Sequence, residues 1–367
     1  MKIITLLPLL VWGCISNCFS QGKYGNFVLA NSAEVTYTGR TLVSEQGEVT
    51  FDWVGTYFDF VLEGESVAMR ASDSGESYYN VFVDNQLYKN FVVSTPDTVI
   101  QLVSNLSKNG KHVIRVQKRS EGEFGCTTIH GFVLYKKSTL YKSPQRKERF
   151  IEFIGDSYTV GYGADGTHKD QPFTVATENA DKTYACILAR YFQSDYALIA
   201  HSGRGAARNY GDSLTSSRYT MKDFMLRTLD SDTTARYRFD QYTPDLVVIN
   251  LGLNDFSTQP APSKTEFKTA YRRIIRQVRD AYGSKVKILC VVPRLGDQYL
   301  HYISDLLSQL DNPNLRHTAP LHGVINDDSD MGAAWHPGEV GHQKIATFLV
   351  PYIATLMDWP LQDRTIR

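Results

Sequence analysis

Ser157 stands in "GDSYTVGYG", directly after the apolar run "FIEFIG", and His336 stands in "MGAAWHPGEVGH", just ahead of a proline. A hydroxyl is a weak nucleophile until an imidazole takes its proton, so such a pair, once brought together, can attack an acyl carbon. The oxygen that then becomes negative needs N–H donors fixed in advance. Two other stretches carry such donors. In "HSGRGAARNYG", Gly203 and Gly205 let a backbone N–H approach a ligand closely, and in "NLGLNDFS", Asn254 offers a side-chain amide.

Each of these has an ordinary structural reading. Ser157 or Asp156 can serve as a helix N-cap, the glycines as turn residues, and Asn254 and Asp255 as turn formers or a local cap. Arg204, Arg208 and Asn209 read as scaffolding or rim. What distinguishes the set is its placement. Three of the segments directly follow apolar strand-like runs, and open parallel sheets build their sites at the C-terminal ends of strands. A serine opening a helix there meets free backbone N–H groups and the positive end of the helix dipole.

His336 poses a problem. An acid a few residues upstream would orient the ring, but 333 and 334 are alanines, and the nearest acids upstream are Asp330, Asp328 and Asp327. The expected orienting group is a backbone carbonyl near Ala333 or Ala334, with Asp330 folded back as the alternative. Either fixes the proton on Nδ1 and leaves Nε2 to accept the serine proton. His342 shares a helical face with Ile345, Ala346 and Leu349 and reads as a satisfied, partly buried histidine. The two histidines lack a third ligand at a metal-binding spacing, so zinc is not expected, and serine–histidine ester chemistry needs no cofactor. Trp335 offers either a face for sugar stacking or a piece of core.

The elements that must position these residues fall into two rhythms. From 22 to 143, short apolar and aromatic runs alternate with turn signals such as Asp84–Asn85 and Asn109–Gly110. In "HVIRVQ", period two sets Val113 and Arg115 opposite Ile114 and Val116. The expectation is an all-β, jelly-roll-like sandwich in which Trp53 is structural. Residues 135–149 are polar, contain Pro144 and read as a linker. From 150 to 360, the runs "FIEFIG", "YALIAHSG", "DLVVINLG" and "VKILCVVP" alternate with helical stretches. That pattern predicts a three-layer α/β/α domain with a parallel sheet. Helices are expected near 184–193, from about Glu339, and over 264–282. The last has a Ser263/Glu266 capping box at its start and Gly283 as its stop.

The chain of 367 residues is long enough for these two domains, and its 39 basic residues balance 39 acidic ones. Nothing in that charge balance favours nucleic acid or an anionic membrane. Residues 1–20 read as an export signal, with Lys2 ahead of an apolar stretch too short to span a bilayer. The expected location is outside the cell or in the periplasm. A lipoprotein junction at Cys14 is the alternative, disfavoured by Trp12 where a small residue belongs. Past that segment, Cys126, Cys186 and Cys290 lie far apart in apolar contexts and read as three buried free thiols, with a single bridge as the alternative.

The four blocks around Ser157, Gly205, Asn254 and His336 resemble the SGNH (GDSL-like) hydrolases. Together with "GRTLVSEQGEVTFDWVGTYFDF", "SGRGAARNY", "PDLVVINLGLNDFS" and "WHPGEVGHQKIA", they resemble carbohydrate esterase family 2 over nearly the whole mature chain. No Gly-x-Ser-x-Gly elbow surrounds Ser157, so the α/β-hydrolase fold is not implied. The resemblance implies an acetyl esterase acting on acetylated carbohydrate through an acyl-enzyme. Ser157 would be the nucleophile and His336 the base, with the Ser157 N–H, the Gly205 N–H and the Asn254 side chain as oxyanion donors. The alanines before His336 depart from the family's usual aspartate and imply a Ser–His dyad of moderate rate. A carbohydrate-binding protein with a degenerate hydrolase half is the competing expectation, and an esterase acting on bacterial exopolysaccharide or peptidoglycan acetyl groups is a third.

Overall fold

The structure is a computed structural model that describes residues 26–94, 96–107, 110–135, 137–143 and 146–367. The export signal at 1–20, Cys14, Asn109 and Pro144 lie outside the described residues.

The N-terminal half is a sandwich of two six-stranded sheets. One runs in the order Leu42–Val43, Val49–Phe51, Thr127–Leu134, Val67–Asp73 and Thr98–Val103, with Phe27–Leu29 also on Thr127–Leu134. The other runs Thr139–Tyr141, Tyr57–Glu63, Lys111–Lys118, Ser77–Val83 and Gln86–Val93, with Thr36–Thr38 also on Tyr57–Glu63. All pairings within both sheets are antiparallel. Alternation decides which side chains enter the core. Ile114 and Val116 are fully buried while Val113 and Arg115 are not, and Arg115 makes a two-pronged ion pair with Asp59 at 2.7 Å. Between the sheets the Phe132 ring packs edge-on against Phe58 and Phe60 at 5.6 and 5.4 Å. Asp84 and Asn85, both at positive φ, turn one hairpin. The stretch read as a linker contains Thr139–Tyr141, which pairs with Tyr57–Glu63 and buries Leu140, so much of it belongs to the sandwich.

The C-terminal half holds a five-stranded sheet, wholly parallel, in the order Ser194–Ala200, Arg149–Gly155, Leu246–Asn250, Lys287–Val292, Leu315–Pro320. The strands Ser194–Ala200 and Leu246–Asn250 are buried along their length, and each Val, Leu or Ile fully buried there contributes about 1.5–3 kcal/mol. One face carries Tyr184–Tyr191 and Glu339–Met357, and the other carries Lys264–Tyr282 and Asp297–Leu310. The helix Lys264–Tyr282 starts at the Ser263/Glu266 capping box and stops at Gly283, which has φ 90°.

The order of these strands positions the site. The first strand of the sheet, Arg149–Gly155, has the second on one side and the third on the other. Connections leaving its C-terminal end therefore diverge, which opens a crevice at that edge. Ser157 follows this strand, the Gly203–Gly205 loop follows its neighbour on one side, and Asn254 follows its neighbour on the other.

The halves are joined by buried polar contacts. Trp53, 1% exposed, donates its indole N–H to the Thr228 carbonyl. Arg40 donates to the carbonyls of Met225 and Arg227, and Tyr57 to Asp195. Cys186 and Cys290 are buried free thiols, whereas Cys126 is only half-buried.

Candidate active site

Ser157 opens a one-turn helix, Ser157–Val160, whose N-cap is Asp156. The Asp156 carboxylate accepts the Tyr158 N–H at 3.1 Å, which leaves the serine hydroxyl free of capping duty. Ser157 is 6% exposed, and its Oγ lies 2.9 Å from Nε2 of His336. On the other side of the ring, Nδ1 lies 2.7 Å from the carbonyl oxygen of Ala334. A carbonyl can only accept, so Nδ1 carries the proton and Nε2 is the acceptor for the serine hydroxyl.

The carbonyl reaches the ring because the backbone is bent to bring it there. Ala334 and Trp335 have φ of 50° and 60°, left-handed conformations that cost a non-glycine residue roughly 1–2 kcal/mol each. Hydrogen bonds from successive residues hold the bend in place. The N–H groups of Ala333, Ala334 and Trp335 donate to the carbonyls of Gly163, Gln171 and Lys169 at 2.9, 2.8 and 3.0 Å. The loop that follows Ser157 thus straps down the loop that carries His336.

Asp330 is occupied elsewhere. Its carboxylate accepts from the Asn326 N–H and from the Ser329 hydroxyl, and it pairs with Lys344 at 2.8 Å. The fold-back alternative is therefore not the arrangement found, and the alanine carbonyl takes the place of an acid. Burial lowers the His336 pKa below its ordinary value, and the Ala334 hydrogen bond offsets this only in part. Tyr162 packs on the ring at a centroid distance of 4.6 Å and is itself stacked on Phe173.

Asn254, 7% exposed, donates its side-chain amide to the Arg204 carbonyl at 3.0 Å and, more weakly, to Asp156 at 3.3 Å. Burial pushes the Asp156 carboxyl up to about 7. Gly205 has no room for a side chain, since a Cβ would collide with the Arg208 carbonyl and the Asp255 carboxylate. Its N–H points at Asn209 Oδ1 over 3.3 Å. Asp255 is fully buried and accepts the N–H groups of Ala206, Ala207 and Arg208 at 2.9, 2.7 and 2.9 Å. It fixes a loop nearly fifty residues away in sequence rather than capping locally. Arg208 is buried and ties the same loop to Thr258 and Leu214, so it is scaffolding.

Ser157, Asn254 and His336 face one cleft of about 880 Å³, whose wall also includes Gly203, Tyr210, Arg294 and the rim residue Trp335. Gly203 rather than Gly205 forms that wall. Trp335 is 53% exposed with Lys169 over its ring at 4.6 Å, so it is not core packing. His342 is fully buried rather than partly so. Its Nδ1 accepts the Tyr184 N–H at 3.3 Å, its Nε2 has no hydrogen-bond partner among the described residues, and burial pushes its pKa down to about 3.

Sequence reasoning missed three contributors: the Tyr162–Phe173 stack, Arg294, and the 121–124 loop, from which Glu123 and Phe124 reach the cleft out of the sandwich half. Only the aromatic pair left a trace in the sequence, and that trace does not distinguish site from core.

The carbohydrate esterase 2 N-terminal family matches residues 37–144, and the GDSL-like lipase/acylhydrolase family matches residues 153–344. The chain is 32% identical over 333 residues to the cellulase/esterase CelE of Acetivibrio thermocellus, a match covering 89% of this chain and 40% of that protein. It therefore spans well under half of that relative's length. It is 26% identical over 331 residues to an acetylxylan esterase / glucomannan deacetylase of Cellvibrio japonicus, covering 86% of this chain and 89% of that protein. Among solved structures, it is similar to a family two carbohydrate esterase from Clostridium thermocellum in complex with cellohexaose. That match has a TM-score of 0.82 and 32% identity, and covers 89% of this chain and all of that one. A sandwich joined to a parallel α/β sheet, with a serine and a histidine in contact at its switch point, defines an acyl-hydrolase architecture. The chain belongs to carbohydrate esterase family 2.

Proposed function

We propose that this chain is an exported carbohydrate O-acetylesterase that uses Ser157 as nucleophile and His336 as its sole proton carrier. The observation that carries the reading is the continuous path from the Ala334 carbonyl through the imidazole to the serine hydroxyl, with contacts of 2.7 and 2.9 Å. His336 Nε2 takes the hydroxyl proton as Oγ attacks the acetyl carbonyl carbon. The sugar oxygen then leaves with that proton, and a water activated at the same Nε2 releases acetate from the acetyl-serine. The Ser157 N–H has no intrahelical acceptor at the first position of its helix, and it is one donor for the oxyanion. The Asn254 amide is the second, giving up its long contact with Asp156; Gly205, expected as a third donor, lies off the cleft wall with its N–H on Asn209 and is left out of the reading.

Acetylated xylan or glucomannan is the proposed substrate class, because the Cellvibrio japonicus relative is named for both. The exposed Trp335 and Tyr210 on the cleft rim offer faces for sugar rings. No helix among the described residues is long and apolar enough to cross a membrane. Residues 1–20, read as an export signal, place the enzyme where polymeric glycans are found.

The test is acetate release from acetylated xylan and glucomannan by the wild-type chain and by Ser157→Ala. The wild type should release acetate and the variant none above background, while any glycan binding survives. Full hydrolysis by the variant would remove Ser157 from its role. Glycan binding without hydrolysis by the wild type would favour the binding-protein reading.

A further inference from the structure

A second imidazole at the same sheet edge has surroundings that the esterase chemistry does not use. His201 follows the strand Ser194–Ala200 and hydrogen-bonds through Nδ1 to Asp230 Oδ2 at 2.7 Å. Its Nε2 faces Glu123 across 3.7 Å, and Glu121 belongs to the same cluster. One ligand-type atom from each of Glu121, Glu123 and His201 lies within 4.8 Å of the others.

The arrangement has the features of a prepared coordination shell. A carboxylate on one ring nitrogen commonly fixes the tautomer and orientation of a metal-binding histidine, leaving the other nitrogen for the ion. Donors bound at about 2.1 Å to a tetrahedral centre sit roughly 3.4 Å apart, so these three need to close by little more than an ångström. The buried oxygens add an independent observation. Glu121 is fully buried. One of its carboxylate oxygens accepts the Ser202 N–H at 2.7 Å, and the other has no hydrogen-bond partner among the described residues. Leaving a buried carboxylate oxygen unpaired costs more than pairing it, so the free oxygen of Glu121 beside a histidine and a second carboxylate calls for a counterpart.

We infer that Glu121, Glu123 and His201 form a binding site for a borderline divalent transition-metal ion at the seam between the sandwich and the α/β half, with Asp230 as the orienting residue behind His201. One imidazole with two carboxylates suits an ion such as Zn2+ better than Ca2+, which takes 6–8 oxygen ligands. Three protein donors leave at least one coordination position open. Glu123 and Ser202 both border the cleft that holds Ser157, so the site adjoins that cleft. A bound ion would also fasten the 121–124 loop of the sandwich to the end of Ser194–Ala200. The site assembles only in the fold, because 121, 123 and 201 lie at no metal-binding spacing in the sequence.

The inference does not depend on ester hydrolysis, and its test measures binding. The full chain is stripped with chelator and titrated calorimetrically with ZnCl2, and separately with CaCl2. One Zn2+ per chain should bind, with a rise in Tm on the order of 5 °C at saturating metal. Glu123→Gln and His201→Gln should each weaken Zn2+ binding at least tenfold, and Asp230→Asn should weaken it by about 10- to 100-fold. Cys126→Ser should leave it unchanged, which excludes the half-buried thiol as the zinc ligand. Glu123 has a half-exposed side chain, so Glu123→Gln is decisive even if a buried variant misfolds. Absence of saturable Zn2+ binding, retention of full affinity by Glu123→Gln, loss in Cys126→Ser, or Ca2+ affinity equal to that for Zn2+ would each overturn the inference.

Discussion

His336 and His201 both lie at the C-terminal edge of one parallel sheet, largely withdrawn from water, and each offers Nδ1 to an acceptor 2.7 Å away. The acceptors differ, and the protonation behaviour differs with them. For His336 the acceptor is a neutral carbonyl, which fixes the tautomer without holding a positive charge, so burial prevails and the pKa falls. For His201, burial also works against the charge, but the hydrogen bond and negative charge of Asp230 outweigh it and the pKa rises. The ring without an acid is thus the one kept neutral at rest, as a proton acceptor must be, and it is the ring in contact with a hydroxyl. The usual aspartate strengthens a base in the charged state; this chain supplies orientation alone.

The largest break in that comparison would come from His336→Ala, expected to lower kcat for acetate release by at least ~10,000-fold. A loss under tenfold would mean that another group carries the proton. Next in size, Asn254→Ala should lower kcat by ~100- to 1,000-fold with KM little changed, because its donor matters most when the oxyanion forms. The pH profile sharpens the contrast further. His336 must be neutral to accept the serine proton, and its pKa lies below 6.5, so kcat/KM should hold at neutral pH and decline only as pH drops through a midpoint under 6.5. A midpoint above 6.5 would indicate a hidden carboxylate partner.

The smallest effect is expected from Ala334→Asp. The Nδ1 proton is already given to the Ala334 carbonyl, and a charge-assisted bond exceeds a neutral one by about 1 kcal/mol, so the rate should change by less than about tenfold. The acid limb should move upward in pH, since an added carboxylate favours the protonated ring. A gain of a hundredfold or more would show the missing acid to be the limiting defect.

The sequence was most legible where periodicity and local chemistry agreed. Four apolar runs, the Ser263 capping box and the alternation in "HVIRVQ" lead directly to the sheet, the helix and the sandwich face observed. The fifth strand, Leu315–Pro320, gave no such signal because only Leu315 and Thr318 are buried and its other positions are Arg316, His317, Ala319 and Pro320. The placement of Ser157, Asn254 and His336 on one cleft follows from strand order, which no local pattern encodes. The left-handed pair at Ala334 and Trp335 was unreadable for a different reason. Neither residue type favours that conformation, and the hydrogen bonds that residues 333–335 donate to carbonyls in 163–171 hold it. Asp255 looked like a local turn former, yet its carboxylate serves backbone N–H groups brought near by the fold.

The central claim is that a backbone carbonyl, with no acid, sets His336 as the acceptor for the Ser157 proton. Nitrogen-15 NMR of histidine-labelled protein at pH 7.5, with the resonance assigned by its loss in His336→Gln, tests it most directly. The account predicts a neutral ring bearing its proton on Nδ1, with Nε2 unprotonated. A cationic ring at that pH, or a neutral ring protonated on Nε2, would contradict it.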